Sequence, residues 1–158
     1  MRTASILLFV CFSWPAAAHA ERDQLLTVHN ELRARHSVPP LTWSEDLATG
    51  SQAWAERCVF EHSTGRYGEN LIWWRGGSND PAARAREWYD EIKDYDFAAG
   101  DKNDLAKTGH FTQMIWRGSK ELGCGLAKCQ DGSTLMMCRY TPPGNVIGRF
   151  RENVPPAK

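Results

Sequence analysis

The stretch LGCGLAKCQDGSTLMMCRY, residues 122–140, holds two apolar segments either side of a turn. Leu122 to Lys128 and Thr134 to Tyr140 both read as strands, and Asp131-Gly132 between them is a strong hairpin signal, because both residues tolerate the left-handed backbone of a tight reversal. Centring the turn there places Cys124 nearly opposite Cys138, within bridging distance. Four cysteines allow three pairings; this register selects Cys124–Cys138 and leaves Cys58 to pair with Cys129. A zinc site built on the cysteines is the rival reading, and it is disfavoured: there is one C-x4-C spacing and no second cysteine pair at zinc-finger spacing.

The fifth cysteine, Cys11, falls in a leader. Arg2 precedes an apolar run, Ile6 to Trp14, and Ala18-His19-Ala20 has the small-x-small pattern of a signal-peptidase site. Residues 1–20 therefore read as a signal peptide and residues 21–158 as one domain, a length able to bury roughly two thirds of its unfolded surface. The apolar run is shorter than the ~20 residues of a membrane span, and no later segment is a candidate. Export fits a disulfide framework and places the product outside the cell or in the periplasm; the absence of an N-x-S/T sequon after residue 20 is weakly consistent with a bacterial exported protein in either place. Losing Arg2 from a chain of 19 basic and 19 acidic residues leaves a net charge of −1 with no basic patch, which argues against nucleic acid as a partner.

Upstream of the hairpin the chain reads mostly as helices. Asp23 to His36 places Leu25, Val28, His29 and Leu32 on one face, and Pro39-Pro40 stops it. Ser44 is an N-cap with Glu45 and Asp46 behind it, and Ala48, Ser51, Trp54 and Ala55 follow at helical spacing. Gly50 is out of place in that helix, at a cost of ~1 kcal/mol relative to Ala. Asn70 to Trp74 reads as a short strand, with one of Trp73 and Trp74 facing the core if the alternation holds. Asp80-Pro81 caps a third helix that carries Ala85, Trp88, Tyr89, Ile92 and Tyr95 along one side. Residues 97–108 read as a polar loop and Gly109 to Trp116 as a short helix opened by His110. Trp54 and Trp88 are expected to be buried. Helices first and an antiparallel hairpin last point to an α+β fold.

Four polar residues stand in settings that invite chemistry: His62 after the second helix, Glu69 at the start of the strand, Glu91 on the third helix and His110. Two imidazoles and two carboxylates can ligate a divalent metal or act as a general acid/base set. Each alone is more simply a hydrogen-bonded or solvated residue, and helical spacing leaves Glu91 evenly balanced between a cleft and solvent. Ser63 beside His62 is a weak nucleophile signal, because triads are defined by geometry and not adjacency. There is no H-E-x-x-H, G-x-S-x-G or phosphate loop.

Five motifs in order resemble the CAP superfamily, which comprises cysteine-rich secretory proteins, antigen 5 and pathogenesis-related proteins and is built on the SCP domain. Gly109 to Trp116, GHFTQMIW, looks like its first signature and Met136 to Asn145, MMCRYTPPGN, like its second. His29-Asn30-Glu31-Leu32-Arg33 is similar to its H-N-x-x-R opening, Gly68-Glu69-Asn70-Leu71 to its G-E-N-L element and Trp88-Tyr89-Asp90-Glu91 to its W-x-x-E helix. The resemblance implies a three-layer α-β-α sandwich with a mostly antiparallel central sheet. It also implies a cleft lined by His62, Glu69, Glu91 and His110, and it supports the two disulfides read above. The expectation that follows is a secreted protein whose cleft takes Zn2+ or another divalent cation on His62 and His110, with Glu69 and Glu91 orienting them, beside a site for a lipid or sterol-like ligand. Two rivals are a metal-assisted or acid/base hydrolase on the same four residues and a protein-interaction module with a vestigial cleft. Whether the protein is an enzyme stays open, since fold does not dictate function.

Overall fold

The computed structural model describes residues 16–158. Most of the expected leader lies outside them, and the expected cleavage point after Ala20 falls inside the first helix, α1 (Ala16–Arg35). The helix buries the stripe read from the sequence: Leu25, Val28, His29 and Leu32 are all sealed from solvent. A buried arginine extends it. Arg33 donates from Nε to Pro39 O at 2.8 Å, from Nη1 to Met114 O and Trp116 O at 2.9 Å each, and from Nη2 to Ser119 O at 3.1 Å. Those four carbonyls belong to the loop after α1 and to the end of a later helix with the turn that follows it, so the guanidinium ties α1 to residues more than eighty positions further along the chain.

A two-residue strand, β1 (Thr42–Trp43), precedes α2 (Glu45–Ala55), which Ser44 caps by accepting from Leu47 N. Next come β2 (Gly68–Arg75) and α3 (Pro81–Tyr89), capped by Asp80 with Pro81 in its first turn. The α-helix stops at Tyr89. Residues Asp90–Asp94 form a 3-10 turn, so Glu91 stands on that turn and not on the third helix as expected. α4 (Leu105–Ile115) begins four residues before the expected helix, because Asp104 accepts from Ala106 N and caps it; His110 is in its middle and does not open it. β3 (Glu121–Lys128) and β4 (Ser133–Thr141) form the hairpin, within a residue of the expected bounds, and a short α5 (Phe150–Asn153) follows.

The sheet runs β1-β3-β4-β2. β2, β4 and β3 are antiparallel neighbours and β1 joins β3 in parallel, so the sheet is mixed but mostly antiparallel. α2 covers one face; α1, α3 and α4 cover the other. Alternation along β3 sorts its residues between them. Leu122 and Cys124 enter the main core with Leu25, Trp88, Phe111 and Tyr140. Gly123 and Gly125 point at α2, and a Cβ on either would lie 2.2 Å from a backbone nitrogen of that helix, Ala48 N or Gln52 N. Absence of side chains there is what lets α2 lie flat on the sheet. The two disulfides are Cys58–Cys129 and Cys124–Cys138, as the register required. Trp74 is buried and Trp73 is 49% exposed, and Trp88 is buried. Trp54 departs from expectation: it is half-buried, with the Arg57 guanidinium 3.9 Å above its ring and its indole N–H on Glu61 O, because α2 ends one residue later and the chain turns away.

Candidate functional site

Successive residues of β2 serve opposite sides of the sheet, and this organises the site. Glu69 points to the α2 side, directly across from Arg139 on β4; Asn70 points to the other, across from Cys138. Glu69 Oε1 accepts from Arg139 Nε at 3.1 Å and from the Ser63 hydroxyl. Its Oε2 accepts from Ser63 N at 2.9 Å and faces His62 Nδ1 at 3.2 Å. Asn70 donates from Nδ2 to His110 O at 3.0 Å and to the Tyr140 hydroxyl at 3.3 Å, which anchors the middle of α4 to the strand.

The second half of the site is built between the 3-10 turn and α4. Glu91 Oε2 accepts from His110 N at 2.9 Å and Phe111 N at 3.1 Å, and its Oε1 faces His110 Nδ1 at 2.6 Å. The His110 ring stacks on Trp88, with centroids 6.0 Å apart and planes 22° apart. Trp88 in turn donates its indole N–H to Leu71 O, pinning α3 to the free edge of β2. Glu87, the alternative on the same helix, is exposed and paired with Arg84.

The four residues singled out from the sequence thus form two imidazole–carboxylate pairs, His62–Glu69 and His110–Glu91. Among the described residues no three His, Cys, Asp or Glu side chains gather closely enough to hold a metal ion together. An ionised carboxylate only accepts hydrogen bonds, so in the neutral imidazole each pair places the ring proton on Nδ1 and leaves a lone pair on Nε2. Neither Nε2 has a hydrogen-bond partner among the described residues.

Beside His110 runs an open trough of about 300 Å³ along the edge of β2, lined by Phe60, Leu71, Ile72, Trp73 and Trp88 together with Glu87, Glu91 and His110. Phe60 and Trp73 separate it from a wider trough of about 890 Å³ that reaches the Cys58–Cys129 bridge. Exposed aromatics are a feature of apolar binding surfaces.

Sequence reasoning missed Arg139 and Tyr67. Arg139 is nearly buried, spans Glu69 and the Ser63 hydroxyl, and lies 4.2 Å over the Tyr67 ring. A lone arginine within the apolar strand residues 135–140 was the available signal, since a charge there needs a partner; naming Glu69 required the β2–β4 register, which local sequence does not carry. Ser63 Oγ is engaged by Glu69, Tyr67 and Arg139, and His62 Nδ1 turns to Glu69 and not to the serine, so the geometry shows no serine–histidine couple.

Comparison with known proteins matches this architecture. The chain is 37% identical over 153 residues to pathogenesis-related protein 1C of Nicotiana tabacum, covering 92% of this chain and 89% of that one. It is 38% identical over 155 residues to the Golgi-associated plant pathogenesis-related protein 1 of Homo sapiens, covering 90% and 97%. Among solved structures, NaASP2 crystallised with Zn2+ superposes with a TM-score of 0.72 at 21% identity, covering 92% of this chain and 91% of that one. Venom allergen-like protein 4 of Schistosoma mansoni gives a TM-score of 0.65 at 23% identity, covering 92% and 97%. Residues 26–140 match the model of the cysteine-rich secretory protein family, and the chain belongs to that family, the CAP superfamily.

Proposed function

We propose that the protein is exported to the extracellular side and binds a divalent cation on His62 and His110, with a lipid or sterol-like ligand in the adjoining aromatic trough. The observation that carries this reading is the state of the two imidazoles: each has Nδ1 fixed on a carboxylate and Nε2 free. A histidine so oriented by a carboxylate is the usual form of a zinc-ligating imidazole. The donors available to a cation are the two free imidazole nitrogens, with water completing the shell; Glu69 and Glu91 are occupied with ring and backbone N–H groups, and among the described residues no third donor joins them. Such a site is far weaker than a closed four-ligand site, and the apo protein folds on its disulfides and core. Zinc supplies Lewis-acid polarisation of what it binds. NaASP2, of the same fold, has been crystallised with Zn2+.

The trough supports the apolar half of the proposal. Its volume lies at the lower end of small-molecule pockets, about 300–1,000 Å³, and Phe60 and Trp73 line both it and the wider trough beyond. Among the described residues no helix is long and apolar enough to cross a membrane. Relatives in plants and humans, among them cysteine-rich secretory protein 2 of Homo sapiens, support an extracellular destination and lend nothing to a periplasmic one.

Calorimetry with ZnCl2 on wild type, His62→Ala, His110→Ala and the double variant tests the cation. Each single variant weakens binding and the double variant abolishes it; equal affinity in the double variant, or no binding by the wild type at pH 7.5, ends the proposal. Because imidazole ligates only when unprotonated, affinity declines on acidification. A fluorescent sterol and a fluorescent fatty acid, titrated into wild type and Trp73→Ala, test the trough.

A further inference from the structure

We infer that Arg139 is a positioning residue for His62, acting through Glu69, and that Gly50 in α2 is the opening that admits it. The inference rests on the cation reading above and goes further by assigning how one of the two imidazoles is aimed.

His62 lies on an irregular segment between α2 and β2, its side chain is 65% exposed, and its one polar side-chain contact among the described residues is Nδ1 to Glu69 Oε2 at 3.2 Å. Whatever sets Glu69 therefore sets His62. Glu69 is 5% exposed and Arg139 9%, and they face each other across neighbouring strands. Arg139 holds the carboxylate with Nε at 3.1 Å and reaches with Nη2 to the Ser63 hydroxyl at 2.9 Å, so it grips both the acid and the residue next to His62. The planar guanidinium fork supplies both contacts at once, and the Tyr67 ring supports it from one side. His110 is oriented differently. Glu91 is fixed by two backbone N–H groups of α4, and no arginine or lysine joins it among the described residues. One imidazole is thus aimed by backbone and the other by a charged side chain.

Gly50 completes the device. A Cβ at that position would lie 2.4 Å from Arg139 Nη1. The atom it meets is the end of a flexible side chain, so Gly50→Ala keeps helix and charge and pushes the guanidinium off its place. A helix-weakening glycine, otherwise without a reason in α2, has one here.

The test is long-range 1H–15N NMR of the histidine rings in metal-free wild type, Gly50→Ala and Arg139→Met, followed by zinc titration. In wild type His62 and His110 both show the Nδ1–H tautomer. In the two variants the His62 nitrogens move to the averaged values of a free imidazole while His110 keeps its own. Zinc affinity then falls by the same factor as in His62→Ala, and Gly50→Ala combined with His62→Ala lowers it no further. Unchanged His62 signals in Gly50→Ala overturn the inference, as do His62 and His110 shifts of equal size, which would mark a general loosening. Arg139→Met strips a buried carboxylate of its partner and risks the fold; Gly50→Ala retains the charge and decides the matter alone. If wild type binds no zinc the cation proposal fails, and the tautomer comparison still settles the role of Arg139.

Discussion

The Tyr140 hydroxyl sits 2.8 Å from His29 Nε2, deep in the core, while His29 Nδ1 lies 2.7 Å from Leu25 O. The carbonyl can only accept, so Nδ1 carries the ring proton and Nε2 accepts from the tyrosine, which itself accepts from Asn70. Both groups are neutral. Burial pushes the His29 pKa from 6.5 down to about 4 and raises that of Tyr140. The first residue of the H-N-x-x-R motif is therefore a core hydrogen-bonding group and takes no part in the cleft.

Acid stability follows from that shift. Between pH 6.5 and about 4 the unfolded chain binds a proton at His29 that the folded one refuses. The contribution is whole above pH 6.5 and is lost as pH falls towards 4, at up to ~1.4 kcal/mol per unit. His36, also lowered by burial and bonded to Pro155 O and the Tyr89 hydroxyl, acts in the same direction. Urea midpoints should be level from pH 8 to 7 and fall steadily from 6.5 to 4. His29→Gln should be less stable at pH 7 and fall less steeply below it. A wild-type midpoint that does not change between pH 6.5 and 4 would contradict the assignment.

Arg33 is the last residue of the same motif and is equally structural. Burial lowers its pKa to about 10, which still leaves it charged at neutral pH, with four carbonyls and, among the described residues, no carboxylate paired with it. Removing it strands buried acceptors, each worth ~1–3 kcal/mol when unsatisfied. Arg33→Met should cost at least ~3 kcal/mol in denaturant unfolding. Arg33→Lys should recover only part of that, because three rotating donors on one nitrogen cannot span carbonyls from two segments.

The elements legible in the sequence were those whose cause is local. Ser44 and Asp80 announce their helices, Asp131-Gly132 fixes the hairpin, and the α1 stripe reads directly as buried face. β1 was invisible because two residues cannot show an alternation and its partner, Glu121–Leu122, is nearly eighty residues away. The first turn of α4 reads as loop in the sequence because residues 104–108 are mostly polar, although Asp104 caps them. Of the site, the four titratable residues were nameable, but their division into two pairs depends on which strand lies beside which. The motif resemblance pointed to Glu91; its place on a 3-10 turn, reaching the backbone of α4, comes only from tertiary packing.

The glycines of β3 separate two kinds of close approach. At Gly125 a methyl group would meet the Gln52 backbone at 2.2 Å, whereas at Gly50 it meets a movable guanidinium. Backbone cannot swing aside, so Gly125→Ala must lift α2 from the sheet. We expect a loss of at least ~2 kcal/mol for Gly125→Ala, in the upper part of the range for overpacked cores. Gly50→Ala should lose less, because the ~1 kcal/mol that the helix gains from the substitution itself offsets part of the cost of displacing the Arg139 guanidinium from Glu69. Thermal unfolding of the two variants side by side makes the comparison; equal losses would refute it.

The two disulfides should differ both in what they contribute and in how easily they are reached. Cys58–Cys129 links residues 71 apart and Cys124–Cys138 residues 14 apart. If a crosslink stabilises by restricting the unfolded chain, the longer loop contributes more, by about 1.4 kcal/mol at these lengths, within the general range of ~2–5 kcal/mol. The short bridge also joins residues that the β3–β4 ladder already holds opposite one another, so its loss leaves the native state little changed. Accessibility runs the same way: Cys58 is exposed and Cys129 partly so, while Cys124 and Cys138 are buried. Reduction proceeds by thiolate attack on a sulfur it can reach. Mild dithiothreitol followed by alkylation and peptide mapping should label Cys58 and Cys129 first, and the partly reduced protein should unfold at a lower denaturant concentration than one lacking only the short bridge. Labelling of Cys124 and Cys138 ahead of the other pair, while the protein is still folded, would show that the hairpin opens more readily than its packing implies.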